Sequence, residues 1–312
     1  MNLAINILQA LLLVLIAPLV RGVIAWLKAR IQNRRGASVW RPYADLLKLL
    51  RKEDLVPPSA SALFRLAPIV VFAGTVAAAA FVPLLHSSSL LGMNGDFIML
   101  VYLLALSRFF LTLGAMDGGS SFGGMGASRE ALVSTLAEAP LLLALMATAI
   151  MARGGALAAV VQWTLALDFF HISAVHALAA VALGMVAIAE TGRVPVDNPT
   201  THLELTMIHE AMVLEYSGPS LAWIEWASAV KLNVVLSLIL ALFVPWGMAI
   251  SNSLLGLAVA LVAYLLKLAV LAIGIAVLES SVAKLRMYLV PDFLGVASAL
   301  SIMAVVFTVL AR

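Results

Sequence analysis

The 312-residue chain contains no cysteine. That excludes disulfides, thiolate-ligated iron–sulfur clusters and a thiolate nickel site within it. Any redox centre that works with this chain sits on a partner. Charge is scarce as well. Only 11% of the residues are charged, against about 25% in a soluble domain. The formal net charge is +3, and no basic run is interleaved with aromatics, so nucleic acid is not a partner suggested here. The glycine-rich segment 116–129, MDGGSSFGGMGASR, lacks the lysine of a phosphate-binding loop. No nucleophile–base constellation is visible. His202 and His209 stand seven residues apart without an evident third ligand, so no metal site is expected.

What remains is apolar: 63% of the residues are hydrophobic and the mean hydropathy is +1.09. Runs of roughly 20 apolar residues recur, the spacing of membrane helices rather than of a β-barrel. The reading is an all-α integral membrane protein of about eight transmembrane helices in one bundle, a single polytopic domain over 1–312. The spans fall at about 3–27, 67–86, 96–115, 130–152, 171–192, 226–250, 254–280 and 291–311. The first has no small-residue cleavage site and is interrupted by Arg21, so it is read as a retained helix. Loops 28–66, 116–129, 193–225 and 281–290 hold 13 of the 19 Lys and Arg. The positive-inside rule puts these loops in the cytoplasm and both termini outside, in an inner membrane.

Loop 28–66 is the most basic part. Within it, RPYADLLKLLRKED reads as an amphipathic helix with Tyr43, Leu46, Leu47, Leu49 and Leu50 on its apolar side. It belongs in the interface, as a lipid anchor or as a docking face for a soluble partner. The glycines of 116–129 suggest a loop lying close against another backbone. After the fifth span, Asn198–Pro199 resembles a helix start, with a helix over 199–215.

The charges inside and between the spans are the functional candidates, because each is expensive to place there. Residues 190–218 carry four of the nine glutamates, Glu190, Glu204, Glu210 and Glu215, together with Arg193, Asp197, His202 and His209. Glu138 lies inside the fourth span, just before Pro140. Lys267 lies near the middle of the seventh, where it cannot snorkel, so a carboxylate partner is expected, Glu138 or Glu190. Arg21 and Lys231 lie nearer the span ends and are read as snorkelling; Arg108 is read as half of a buried structural pair. His171 and His176, at the outer end of the fifth span, are read as interfacial hydrogen-bonders.

These motifs resemble a known family, the NADH dehydrogenase subunit 1 family of respiratory complex I. Within it the chain is similar to the homologues in membrane-bound nickel–iron hydrogenases of the formate hydrogenlyase and hydrogenase-4 type. Arg34, Arg35 and Gly36 match the family's first-loop pattern, although Ala37 replaces the usual proline. Tyr43, Asp45, Lys48 and Leu49 match the next pattern. Asp117 to Phe122 and Gly126 to Glu130 resemble the hydrogenase-type signatures. Glu190, Arg193, Pro195 and Asp197 match Glu-x-x-Arg-x-Pro-x-Asp in full, and Glu215 to Gly218 match the closing Glu-Tyr-Ser-Gly.

The resemblance implies a tilted bundle that joins a peripheral electron-transfer arm to antiporter-like membrane subunits. It implies junction residues Arg34, Arg35, Gly36, Asp45, Arg129, Glu130, Arg193 and Asp197, facing that arm or a quinone-like cavity. It implies an acidic funnel of Glu138, Glu190, Glu204, Glu210 and Glu215, with Lys267 alongside. The expected partners are hydrogenase large and small subunits, an iron–sulfur subunit and antiporter-like subunits. The nickel–iron centre and the iron–sulfur clusters sit on those partners; a quinone is the one ligand this chain itself is expected to approach. The function so implied is that of a coupling subunit, not catalytic alone, in an energy-converting hydrogenase. The alternative is the quinone-site subunit of complex I. A stand-alone ion transporter would show inverted repeats, and none is visible. An inert anchor would leave the acids of 190–218 without a reason.

Overall fold

The computed structural model describes residues 2–167, 173–197, 207–249 and 253–310. Among these, eleven α-helices follow one another: α1 Asn2–Ile31, α2 Arg41–Leu50, α3 Ala62–Ala79, α4 Asp96–Asp117, α5 Ser121–Met151 and α6 Leu157–Leu165. After these come α7 Ala174–Glu190, α8 His209–Val213, α9 Gly218–Phe243, α10 Leu254–Ser281 and α11 Val290–Leu310. Seven are long and apolar enough to cross a membrane; α7, also apolar, has 17 residues. The all-α bundle expected from the hydropathy is the fold found.

Serine starts several of these helices. Ser61, Ser120, Ser173 and Ser253 each accept an N–H from the first turn of α3, α5, α7 and α10. Such a cap satisfies donors that lipid cannot. Helix α9 is the hub: 78% of its most apolar window is buried, against 22% for α10, which lies at the rim. Asn233 of α9 donates to Leu13 O of α1 at 2.8 Å, and Ser237 meets the Tyr264 hydroxyl of α10 at 2.9 Å. These bonds fix α1, α9 and α10 together where apolar packing alone has no preferred register.

Two expected loops are corrected. The glycine-rich stretch 116–129 is mostly helix, because α5 begins at Ser121. Gly123 and Gly126 serve close packing. A Cβ on Gly126 would press on Ala211, Ile208 O and Met212, all at 3.0 Å. A Cβ on Gly123 would collide with Ala115 O at 2.4 Å. In the outer loop expected at 153–170, residues 157–165 form α6, whose first N–H, from Leu157, is taken by the buried Asp96 at 2.8 Å. The second span begins earlier than expected, at Ala62, and ends at Ala79. Beyond it the chain runs without helix, its Leu84, Leu85 and His86 N–H groups all taken by Gln9 Oε1 of α1.

Helix α2 is amphipathic as expected, and it lies against α1 and α9. Tyr43 donates its hydroxyl to Leu15 O at 2.5 Å. Burial pushes that hydroxyl's pKa up. Leu46 and Leu49 turn toward the bundle, whereas Leu47 and Leu50 remain exposed. The segment before α2 is held by a close approach: a Cβ on Gly22 would stand 2.1 Å from Val39 O.

Candidate functional site: a charged chamber at one end of the bundle

The ends of α1, α4, α7, α9 and α10 that lie nearest the basic loops enclose a cavity of about 520 Å³. The turn after α7 organises it. Glu190 is the last residue of that helix. Gly192 takes the left-handed conformation, φ +57°, and reverses the chain. The Arg193 N–H then closes on Ile188 O at 3.0 Å, and Asp197 N–H returns to Arg193 O at 3.1 Å. Leu285 N donates to Pro195 O at 2.8 Å, which draws the chain after α10 against this turn.

The side chains of the turn divide between two clusters. Glu190 meets Arg108 of α4 at 2.5 Å and Lys231 of α9 at 3.3 Å; its side chain is 1% exposed. Arg193 meets Glu279 of α10 at 3.0 Å, and Lys28 of α1 meets the other oxygen of the same carboxylate at 2.6 Å. Burial lowers the pKa of Arg193, and Glu279 beside it opposes that shift. Asp197 pairs with Lys284 at 2.7 Å and accepts the His209 backbone N–H at 3.2 Å. One short motif therefore supplies the carboxylate of one cluster and a cation of the other. Arg21 of α1 pairs with Glu225 of α9, in a wall the chamber shares with a smaller cavity of about 280 Å³ beside α2.

The expected site residues distribute unevenly over this geometry. Glu190, Arg193, Asp197, Glu130 and Arg34 line the chamber. Arg35 is exposed beyond it, and Gly36 packs so closely on α1 that a Cβ would lie 2.7 Å from Ala29. Asp45 lines the smaller cavity and is engaged by Arg41 at 3.0 Å. Arg129 donates to Met207 O at 2.9 Å, so it ties α5 to the segment before α8. Glu138, Glu210 and Glu215 are half-buried and do not line the chamber. Glu215 lies beside Gly118, at the turn between α4 and α5. Glu204, His202, the expected helix start at Asn198–Pro199, residues 199–206 of the expected 199–215 helix and His171 lie outside the described residues; of 207–215, only His209–Val213 is helical.

Other expectations about single charges are overturned. Lys267 has no carboxylate partner among the described residues. Its ammonium donates to Val244 O at 2.8 Å and Trp246 O at 3.1 Å, where the carbonyls past the end of α9 await donors. Arg21 and Lys231 do not snorkel; both are held in ion pairs inside the bundle. Arg108 is in a buried pair, as expected, and its carboxylate is Glu190. His176 is buried rather than interfacial, set between Trp163 and Phe243. Tyr216, from the Glu-Tyr-Ser-Gly motif, stacks on Phe64 at 4.0 Å with its hydroxyl over Gly114. Burial, with Asp117 nearby, raises its pKa. Among the described residues, no group of three or more His, Asp or Glu is placed to hold a metal ion.

A carboxylate clamped between two cations, backed by a second such cluster, is the arrangement that the Glu-x-x-Arg-x-Pro-x-Asp motif builds here, and the sequence comparisons agree with the motif. The family model for NADH dehydrogenase matches residues 3–309. The chain belongs to the NADH dehydrogenase family. It is 35% identical to hydrogenase-4 component C of Escherichia coli strain K12, over 96% of this chain and 93% of that one. It is 35% identical to formate hydrogenlyase subunit 4 of the same organism, over 91% and 92%. An NADH-quinone oxidoreductase subunit of Syntrophobacter fumaroxidans is 29% identical over 72% of each chain. Among solved structures, a chain of the membrane-bound sulfane sulfur reductase, an archaeal respiratory membrane complex, shares the fold. The TM-score is 0.80 at 24% identity, covering 97% of this chain and 99% of that one. The family expected from the loop motifs is thus the family found. The two E. coli relatives match more of the chain, at higher identity, than the quinone-oxidoreductase relative does.

Proposed function

We propose that this chain is the membrane-anchoring and coupling subunit of an energy-converting hydrogenase of the formate hydrogenlyase or hydrogenase-4 type. The observation that carries the proposal is the pair of buried charge clusters around one chamber, joined by the turn from Glu190 to Asp197. Two clusters that share a short turn are electrostatically coupled. A change of charge or position at one alters the cheapest protonation state of the other. Such an arrangement can receive an event in a peripheral arm and pass it into the membrane as a proton or an electrostatic shift.

On this reading the chain lies in the inner membrane with the chamber toward the cytoplasm and both termini outside. The exposed Arg34 and Arg35, the Gly36 turn, Asp45, Arg129 and Glu130 form the surface toward the hydrogenase large and small subunits and an iron–sulfur subunit. Electron-transfer centres belong to those partners. Antiporter-like subunits join the bundle laterally. Glu190 is the first carboxylate of the translocation path, and Glu138, Glu204, Glu210 and Glu215 are further stations. Lys267, held by carbonyls, is proposed to brace α9 against α10. The quinone-oxidoreductase relative supports a second reading, in which the chamber serves a quinone. The hydrogenase reading is preferred because its relatives span nearly the whole chain.

The test is to purify the intact complex from membranes through a tag on this chain. Nickel in the preparation, with hydrogen evolution from a reduced low-potential dye, is the expected result. Quinone reduction by NADH without nickel would transfer the chain to the second reading.

A further inference from the structure

Exposed apolar side chains on the flanks of a membrane bundle meet lipid. Beyond the headgroups they meet water or a partner. The contacts of α1 set the level at which lipid ends. Asn233 on Leu13 O and Glu225 on Arg21 fix α9 antiparallel to α1. Helix α2 lies at the level of Leu15 to Gly22, through the Tyr43 hydroxyl and Val39 O, and Trp226 of α9 donates to Val14 O beside it. An amphipathic helix flanked by tryptophan marks the membrane surface. From Glu225 back to Gly218, α9 continues for seven residues. That carries its start about 10 Å further into the water.

Three segments are bound together at that level. Leu55 exchanges hydrogen bonds with Ser217 Oγ, its N–H donating at 2.8 Å and its carbonyl accepting at 3.2 Å. Asp117 accepts the Ser61 N–H at 2.8 Å, and Glu215 packs on Gly118. From these segments Leu55, Met116 and Leu214 stand 68%, 61% and 53% exposed. The charge around them is of one sign. Segments 53–61, 116–121 and 207–217 hold five carboxylates, Glu53, Asp54, Asp117, Glu210 and Glu215, and no Lys or Arg. Residues 28–52 of the same end hold eight Lys and Arg and one acid, Asp45. We propose that Leu55, Met116 and Leu214 mark a second docking surface, apolar and acidic, for a soluble subunit whose contact face sets apolar side chains among lysines or arginines. A basic surface at Arg34 and Arg35 and an acidic one here admit a peripheral arm in one orientation, because reversing it sets like charges together.

This inference rests on the reading of a chain that anchors a peripheral arm, and it adds where and by what chemistry a soluble subunit is held. The test places the photocrosslinker p-benzoylphenylalanine at Leu55, Met116 or Leu214, one position at a time, in the intact tagged complex in its native membrane. After illumination, each position is expected to give an adduct with a soluble subunit that copurifies through the tag, on a peptide that carries Lys or Arg. The same probe at Val262, on the exposed flank of α10, gives no adduct with that subunit. Glu53→Lys combined with Leu55→Ser is expected to release the subunit at a salt concentration that wild-type membranes withstand, with this chain still inserted. Adducts confined to residues 198–206 of this chain or to lipid would overturn the proposal. So would full retention of the subunit by the double variant. Copurification of soluble subunits without these adducts strikes the docking surface alone; a tagged preparation with no soluble subunit strikes the anchoring reading with it.

Discussion

Glu190 holds two cations where its side chain is 1% exposed. Each charge is tolerable only because the others are there. Removing one partner of a buried pair leaves an uncompensated charge, at about 3–5 kcal/mol. Glu190→Gln is therefore expected to lower the thermal stability of the purified complex, and adding Lys231→Met is expected to restore most of it. Fluorescence-monitored unfolding reads both; a Glu190→Gln complex as stable as wild type would contradict the buried cluster. Lys267 predicts a different outcome. Lys267→Met strips donors from Val244 O and Trp246 O, a loss of about 1–3 kcal/mol. Activity per assembled complex should remain, and loss of activity at unchanged stability would argue instead for a role in translocation. At this scale the sequence locates the charges but not their partners. Glu190 and Arg193 are legible from their motif. The pairing of Glu279 with Lys28 is not, because nothing along the chain says that they meet 251 positions apart. Lys267 misleads because carbonyls past a helix end are invisible to a search for carboxylates.

The helices place these residues through close backbone approaches. Gly22 lets Val39 O come against α1, and this fixes the segment that leads from Gly36 into α2. Gly22→Ala would put a Cβ 2.1 Å from that oxygen, so α2 must shift. The expected outcome is faster proteolysis within 32–40 with α1 still inserted; unchanged protease resistance would show that the contact is not what holds α2. Most elements are legible as apolar runs of membrane length, and α2 from its periodicity. The start of α5 is hidden because five glycines in 116–129 look like loop, while here Gly123 and Gly126 admit neighbouring backbone and side chains. Helix α6 is hidden because its nine residues are too few to read as a span. Its anchor, Asp96, is 61 residues away.

Across the whole molecule, charge is concentrated at one end of an otherwise apolar bundle, on either side of the α7 turn. Arg34 and Arg35 are exposed beside the chamber and available to a partner. Replacing both with alanine is expected to release the peripheral subunits from washed membranes at moderate salt while this chain stays inserted; full retention of those subunits would count against the docking surface. The central claim is that the Glu190 and Glu279 clusters link events in the arm to ion movement. The most direct measurement follows hydrogen evolution from a reduced low-potential dye in everted membrane vesicles. Dyes sensitive to pH and to membrane potential report the gradient formed. Glu190→Gln/Lys231→Met, which removes one charge of each sign and so leaves the cluster's net charge unchanged, is compared with wild type. The account predicts that hydrogen evolution continues in this variant while the gradient per hydrogen collapses. A gradient per hydrogen equal to wild type would contradict it.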